Sequence, residues 1–81
     1  SPDHIEYQLV NLNILEENFN AGDVVDQESL RAKNLLGKKL QMIKILANGE
    51  ITKALTVKAE KFSAQAQAKI EAAGGKVEVV E

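Results

Sequence analysis

Residues 54 to 80 constrain the fold more than any other part of the chain. Ala54-Leu55-Thr56-Val57-Lys58-Ala59 reads as a strand. Ser63 then caps a helix over Ala64 to Ala73, and Lys76-Val77-Glu78-Val79-Val80 alternates as a final strand. A strand, a helix and a strand in this order make a βαβ unit, whose crossover is almost always parallel and right-handed. Ala66, Ile70 and Ala73 share one helical face, and alanine keeps the helix close to what it covers. Gly74 supplies the left-handed residue that ends the helix. A chain of 81 residues holds one small domain with a modest core, so residues 1–81 are expected to fold as a single unit.

Upstream the pattern is less regular. Ile5-Glu6-Tyr7-Gln8-Leu9-Val10 alternates and predicts a strand with one buried face. Asn11 and Asn13 are both helix-capping residues, and Asn13 with Glu16 three residues on resembles a capping box. Leu12, Leu15 and Phe19 then fall on one face of a short helix, stopped by Asn20-Ala21-Gly22. Asp26 is the N-cap of a second helix over Gln27 to Lys33, with Leu30 inward. Leu35 to Leu40 is a connection with a charged tip. Gln41-Met42-Ile43-Lys44-Ile45-Leu46-Ala47 is apolar enough to predict a strand covered on both faces. Asn48-Gly49 tolerates positive φ and either closes a hairpin or turns the chain out of the sheet. The second is favoured, because Glu50 to Lys53 lacks strand alternation. The elements predict an α/β domain: a small mixed or parallel sheet of about four short strands with three helices, ending in the βαβ unit.

Charge is unevenly distributed. Residues 1–30 hold seven acidic residues and no Lys or Arg, whereas residues 31–61 hold eight basic and two acidic ones. The formal net charge of −2 thus conceals a dipolar chain, and the basic part implies an acidic partner. Arg31, Lys33, Lys38, Lys39, Lys44, Lys53, Lys58 and Lys61 are the candidate contacts. Lys44 and Lys58 belong to two predicted strands, and Lys38, Lys39 and Lys53 to neighbouring connections, so the fold is expected to gather them on one edge. Lysines without interleaved aromatics suit phosphate contact better than base readout. Tyr7, Phe19 and Phe62 are too few for a stacking platform, and Phe62 reads as core.

Catalytic chemistry is sparse. His4 is the single histidine and there is no cysteine, which leaves neither a metal set nor a disulfide and fits an intracellular protein. Glu16 and Glu17 are adjacent on a helix and diverge, so they read as a solvated face. Ser63 is explained by capping. Gly74-Gly75 closes a helix and does not open one, which excludes a phosphate-cradling loop. No run of 18 apolar residues is present, and Ser1-Pro2-Asp3-His4-Ile5-Glu6-Tyr7 is too polar for a signal peptide. No cofactor, membrane or small-molecule substrate is therefore expected. A chain that starts at Ser1 is expected to be a trimmed piece with sequence missing upstream.

One segment is specific. Lys44-Ile45-Leu46-Ala47-Asn48-Gly49-Glu50-Ile51-Thr52-Lys53-Ala54-Leu55-Thr56-Val57-Lys58-Ala59, then Lys61-Phe62-Ser63, then Ile70-Glu71-Ala72-Ala73-Gly74-Gly75-Lys76-Val77-Glu78-Val79, closely resembles the C-terminal domain of bacterial large-subunit ribosomal protein fifteen. Val10-Asn11-Leu12 and Val25-Asp26-Gln27-Glu28-Ser29-Leu30 extend the likeness to about Tyr7 to Val80. The resemblance implies a cytoplasmic, ribosomal, non-enzymatic protein that binds large-subunit ribosomal RNA, contacts neighbouring ribosomal proteins and supports subunit assembly. It implies a compact α/β C-terminal domain that follows a long Gly-, Arg- and Lys-rich arm, and that arm is expected to be absent here. With the basic residues, the Asn48-Gly49 loop is expected to approach the RNA backbone, and joint replacement of Lys53 and Lys58 to weaken binding. The alternative is a protein-interaction module whose lysines face acidic partners.

Overall fold

A computed structural model describes residues 7–37 and 42–80. The strand Tyr7–Asn11 (β1) leads directly into helix Leu12–Asn18 (α1). Then follow Val24–Val25 (β2), helix Gln27–Ala32 (α2), Met42–Leu46 (β3), Thr56–Ala59 (β4), Lys61–Phe62 (β5), helix Ala64–Ala72 (α3) and Lys76–Val79 (β6). The strands alternate between two sheets at every step. β1, β3 and β5 form one sheet and β2, β4 and β6 the other, each in chain order and each wholly parallel. The chain therefore winds as a coil of three turns, each turn adding one strand to each sheet. The expected βαβ unit is present: β4 and β6 pair in parallel from Thr56↔Lys76 to Ala59↔Val79. Its crossover makes one detour, because β5 joins the opposite sheet before α3 begins.

The α/β class, the three helices and the parallel pairing are as expected; the count of about four strands is corrected to six, in two sheets of three. β2 and β5 have two residues each, too short to display any period. A second correction concerns β3. It alternates instead of being covered on both faces: Ile43 and Ile45 are buried, Met42 is 43% exposed, and Lys44 and Leu46 are half-buried. In a coil of two sheets, each sheet turns only one face to the core.

That core draws on every turn. Val10, Ile43 and Ile45 come from the first sheet and Val25, Val57 and Ala59 from the second. Leu12, Leu15, Phe19, Leu30, Ala66 and Ile70 come from the helices and their ends, and Ile51 and Leu55 from the connection between β3 and β4. Phe62 is half-buried against it, as read from its sequence position.

The helix ends explain why these elements stop where they do. Asp26 caps α2: its Oδ1 accepts from the Ser29 N–H at 2.8 Å while the Asp26 N–H donates to Ser29 Oγ at 2.9 Å, a reciprocal box with serine in the third position. Ser63 Oγ accepts from the Ala66 N–H at 3.1 Å, and Gly74 takes φ +86° just past α3. The capping box expected at Asn13 and Glu16 is absent. Asn11 occupies the N-cap position without a side-chain bond, and Asn13 lies inside the first turn. Its N–H, one of the donors a helix start leaves unsatisfied, is taken instead by the Asn48 carbonyl at 3.1 Å.

Candidate nucleic-acid interface

The Asn48-Gly49 loop, expected to approach the RNA backbone, makes close contacts within its own chain. Gly49 adopts φ +96°, and a Cβ there would fall 2.6 Å from Asn13 Cβ and 2.9 Å from Asn13 N. Its close approach is to α1 of its own chain. Asn48 is exposed as a residue, but its carbonyl oxygen is the acceptor for Asn13. Both positions are therefore part of the scaffold that holds β3 to α1.

Lys53 is likewise engaged within the chain. Its Nζ donates to the Glu16 carbonyl at 2.6 Å and the Phe19 carbonyl at 2.7 Å, at the end of α1. Those oxygens lack helical partners, and the negative end of the helix dipole favours a cation there. Next to it Thr52 donates twice to Glu16, through Oγ1 to Oε2 at 2.6 Å and through its N–H to Oε1 at 3.0 Å. The Thr52 hydroxyl, then its N–H, and then the charge of Lys53 hold the Glu16 carboxyl below its ordinary range. Lys69, which the sequence did not single out, braces the other side. Its Nζ donates to the Ala47 and Gly49 carbonyls at 3.3 and 3.1 Å and lies 3.6 Å from Glu50. The loop is thus clamped by two lysines acting as donors to backbone.

The other expected cations separate into groups. Arg31 and Lys58 border a shallow groove of about 510 Å³ whose rim also carries Asp26, Glu28 and Glu60, with Ile43 and Val80 in its lining. Three carboxylates beside two cations make this a mixed surface. Lys33 is exposed and sets its Nζ 5.1 Å from the ring centroid of Phe19. Lys38 and Lys39 lie outside the described residues, as does His4.

Lys44 and Lys61 form the remaining pair. They are direct cross-strand neighbours on β3 and β5, and Lys44 is also opposite Leu9 on β1. Strand alternation puts Tyr7, Leu9 and Asn11 of β1, Met42, Lys44 and Leu46 of β3, and Lys61 of β5 on the outward face. No carboxylate occurs in these outward rows. Leu9 is 53% exposed, and the Lys61 Nζ lies 5.8 Å from the Tyr7 ring centroid. The described basic residues are therefore gathered only in part: Lys44 and Lys61 share a carboxylate-free sheet face, Arg31 and Lys58 flank a mixed groove, Lys33 lies over Phe19 and Lys53 is committed to backbone. Among the described residues no cluster of three or more His, Cys, Asp or Glu could hold a metal, and no helix is long and apolar enough to cross a membrane.

Comparison with known proteins adds a separate line of observation. The family model for the ribosomal proteins 50S-L15 and 50S-L18e and their 60S counterpart matches residues 9–78. A large ribosomal subunit protein uL15 of Trichlorobacter lovleyi is 55% identical over 76 residues, which cover 94% of this chain and 50% of that protein. Its counterpart from Syntrophotalea carbinolica is 57% identical over 74 residues, covering 91% of the chain and 50% of the relative. That of Fervidobacterium nodosum is 54% identical over 74 residues, with the same coverage. The chain spans about half the length of these curated relatives.

Proposed function

This chain belongs to the family of ribosomal proteins that includes the large-subunit uL15 relatives, and on that premise we propose that it acts as a structural, non-enzymatic constituent of the large ribosomal subunit. In this reading it is the C-terminal globular domain of a longer protein, works on the ribosome in the cytoplasm, binds large-subunit ribosomal RNA and supports subunit assembly. The observation that carries the RNA contact is the Lys44–Lys61 pair. Two lysines in register on adjacent strands, on a face whose outward rows hold no carboxylate, suit the phosphates of a nucleic-acid backbone. Arg31, Lys33 and Lys58 extend the positive surface as secondary contacts, and Lys53, Asn48 and Gly49 support it from within.

Co-sedimentation of the chain with bacterial large subunits tests this. Binding that is lost on raising salt and reduced by joint Lys44→Gln and Lys61→Gln replacement supports the reading. Failure to associate with large subunits at low salt overturns it.

Docking on a neighbouring ribosomal protein is a second reading, supported by Val79. It is 65% exposed on β6, an edge strand of the second sheet. Association that survives nuclease digestion and is lost on Val79→Lys replacement favours this mode.

A further inference from the structure

Tyr7 is the chain's single tyrosine, and the fold gives it a setting that composition does not reveal. Phe19 and Phe62 turn toward the core, but Tyr7 stays half-buried on the outward face of the first sheet, in register with Met42. β1 and β5 flank β3 on opposite sides, so the ammonium of Lys61 reaches across β3 to lie over the Tyr7 ring. Lys44 stands on the intervening strand, in register with Lys61.

We propose that the outward face of the β1–β3–β5 sheet is a seat for one unpaired nucleotide of RNA, its base against Tyr7 and its phosphates on Lys44 and Lys61. The inference rests on the RNA reading above and deepens it by naming the site and the form of RNA.

Three observations favour this occupant. Like charges directly opposite on adjacent strands destabilise a sheet, and Lys44 and Lys61 are such a pair. An anion set between them converts the repulsion into attraction. The cation over the Tyr7 ring is an exposed contact and therefore weak, so Lys61 can exchange it for a phosphate while the ring accepts a base. Leu9 and Met42, 53% and 43% exposed, supply apolar ground beside the ring for the rest of the base and its sugar. An intact RNA duplex keeps its bases stacked inside and cannot use such a face, whereas loops and bulges present splayed bases. An acidic protein segment would use the lysines but not the ring.

The chain has one tyrosine and no tryptophan, so its near-ultraviolet emission reports Tyr7 alone. The test titrates the 81-residue chain with a short oligouridylate, with a blunt-ended RNA duplex and with polyglutamate, following both this emission and the anisotropy of labelled RNA. Oligouridylate is expected to bind and quench the emission. Tyr7→Ala is expected to weaken its binding roughly 5- to 140-fold, the loss typical of one stacked base. Tyr7→Phe is expected to restore affinity, and binding of the duplex to be affected less by Tyr7→Ala. Saturable RNA binding that leaves Tyr7 emission unchanged overturns the seat but leaves the RNA reading standing. Displacement of oligouridylate by polyglutamate at matched charge, with affinities that Tyr7→Ala leaves unchanged, assigns the face to acidic protein. No binding of either RNA at low salt overturns the seat and the RNA reading together. The emission readout needs no substitution, so a poorly folding variant does not weaken the test.

Discussion

Replacing Gly49 with alanine separates a scaffold role for the loop after β3 from a role as contact surface. The residue has φ +96°, and a left-handed backbone costs an L-amino acid roughly 1–2 kcal/mol. The new Cβ would also stand 2.6 Å from Asn13 Cβ and 2.9 Å from Asn13 N. Backbone and Cβ cannot swing aside as a side-chain tip can, and forced overlap in a packed region costs roughly 1–3 kcal/mol more. Gly74→Ala is the matched control. It has φ +86°, but its Cβ would meet only Ala54 Cβ at 3.7 Å, an ordinary contact. Both variants stiffen the unfolded chain equally, so that contribution cancels between them. Urea denaturation followed by circular dichroism should therefore find Gly49→Ala less stable than Gly74→Ala by roughly 1–3 kcal/mol. In thermal melts each 1 kcal/mol corresponds to about 4–8 °C for a domain of this size. An 81-residue domain has roughly 4–12 kcal/mol of stability in all, so both losses fall within range. Equal losses in the two variants, within about 0.5 kcal/mol, would refute the packing argument. A Gly49→Ala chain of Gly74→Ala stability but much reduced RNA affinity would return Gly49 to the binding surface.

Three further outcomes follow from the same contacts. Lys53→Met removes both donors to the end of α1 and should cost roughly 1.5–3 kcal/mol while leaving RNA affinity unchanged; loss of affinity without loss of stability would contradict the assignment of Lys53 to the scaffold. The Glu16 carboxyl is held below its ordinary 4.5, chiefly by the Thr52 hydroxyl, so its contribution is present above that value and is lost as pH falls from 4.5 through the lowered folded pKa. Thr52→Val should move the Glu16 titration, followed by NMR, upward toward 4.5, and an unmoved titration would exclude the hydroxyl as its cause. Asp26→Ala breaks the cap of α2 and should cost roughly 1 kcal/mol in urea denaturation; a neutral result would mean that packing of Leu30 alone sets that helix start.

The parts of this fold that were legible in the sequence are those in which local pattern and tertiary use agree. Ser63, the alanine face of α3 and Gly74 all specify the same helix, and the βαβ reading followed from them. Asp26 was likewise readable as a cap, although its serine partner was not. The two-residue strands β2 and β5 were illegible, since Val24-Val25 and Lys61-Phe62 gain strand character only from partners elsewhere in the chain. Missing them concealed the two-sheet coil. The lysines show the same limit at the site. Lys53 and Lys61 are similar as letters near strands, yet one reaches carbonyls 34 and 37 residues away and the other stands on an open face. Where a long side chain ends depends on which backbone oxygens the fold leaves unpaired, and sequence spacing does not encode that. Lys69 was overlooked for the same reason. The family likeness was legible throughout, because it rests on a continuous segment that includes the scaffold residues Asn48, Gly49 and Lys53.

The salt dependence of binding to purified bacterial large-subunit ribosomal RNA tests the central claim most directly. For the unaltered chain, saturable binding is expected with log affinity falling by a few units per log unit of salt, at about 0.7–0.9 for each phosphate neutralised. Joint Lys44→Gln and Lys61→Gln replacement is expected to flatten that slope by about 1–2 while the melting temperature holds or rises, since it also removes a like-charge pair. An unchanged slope in the double variant, or no binding by the unaltered chain at low salt, would contradict the account.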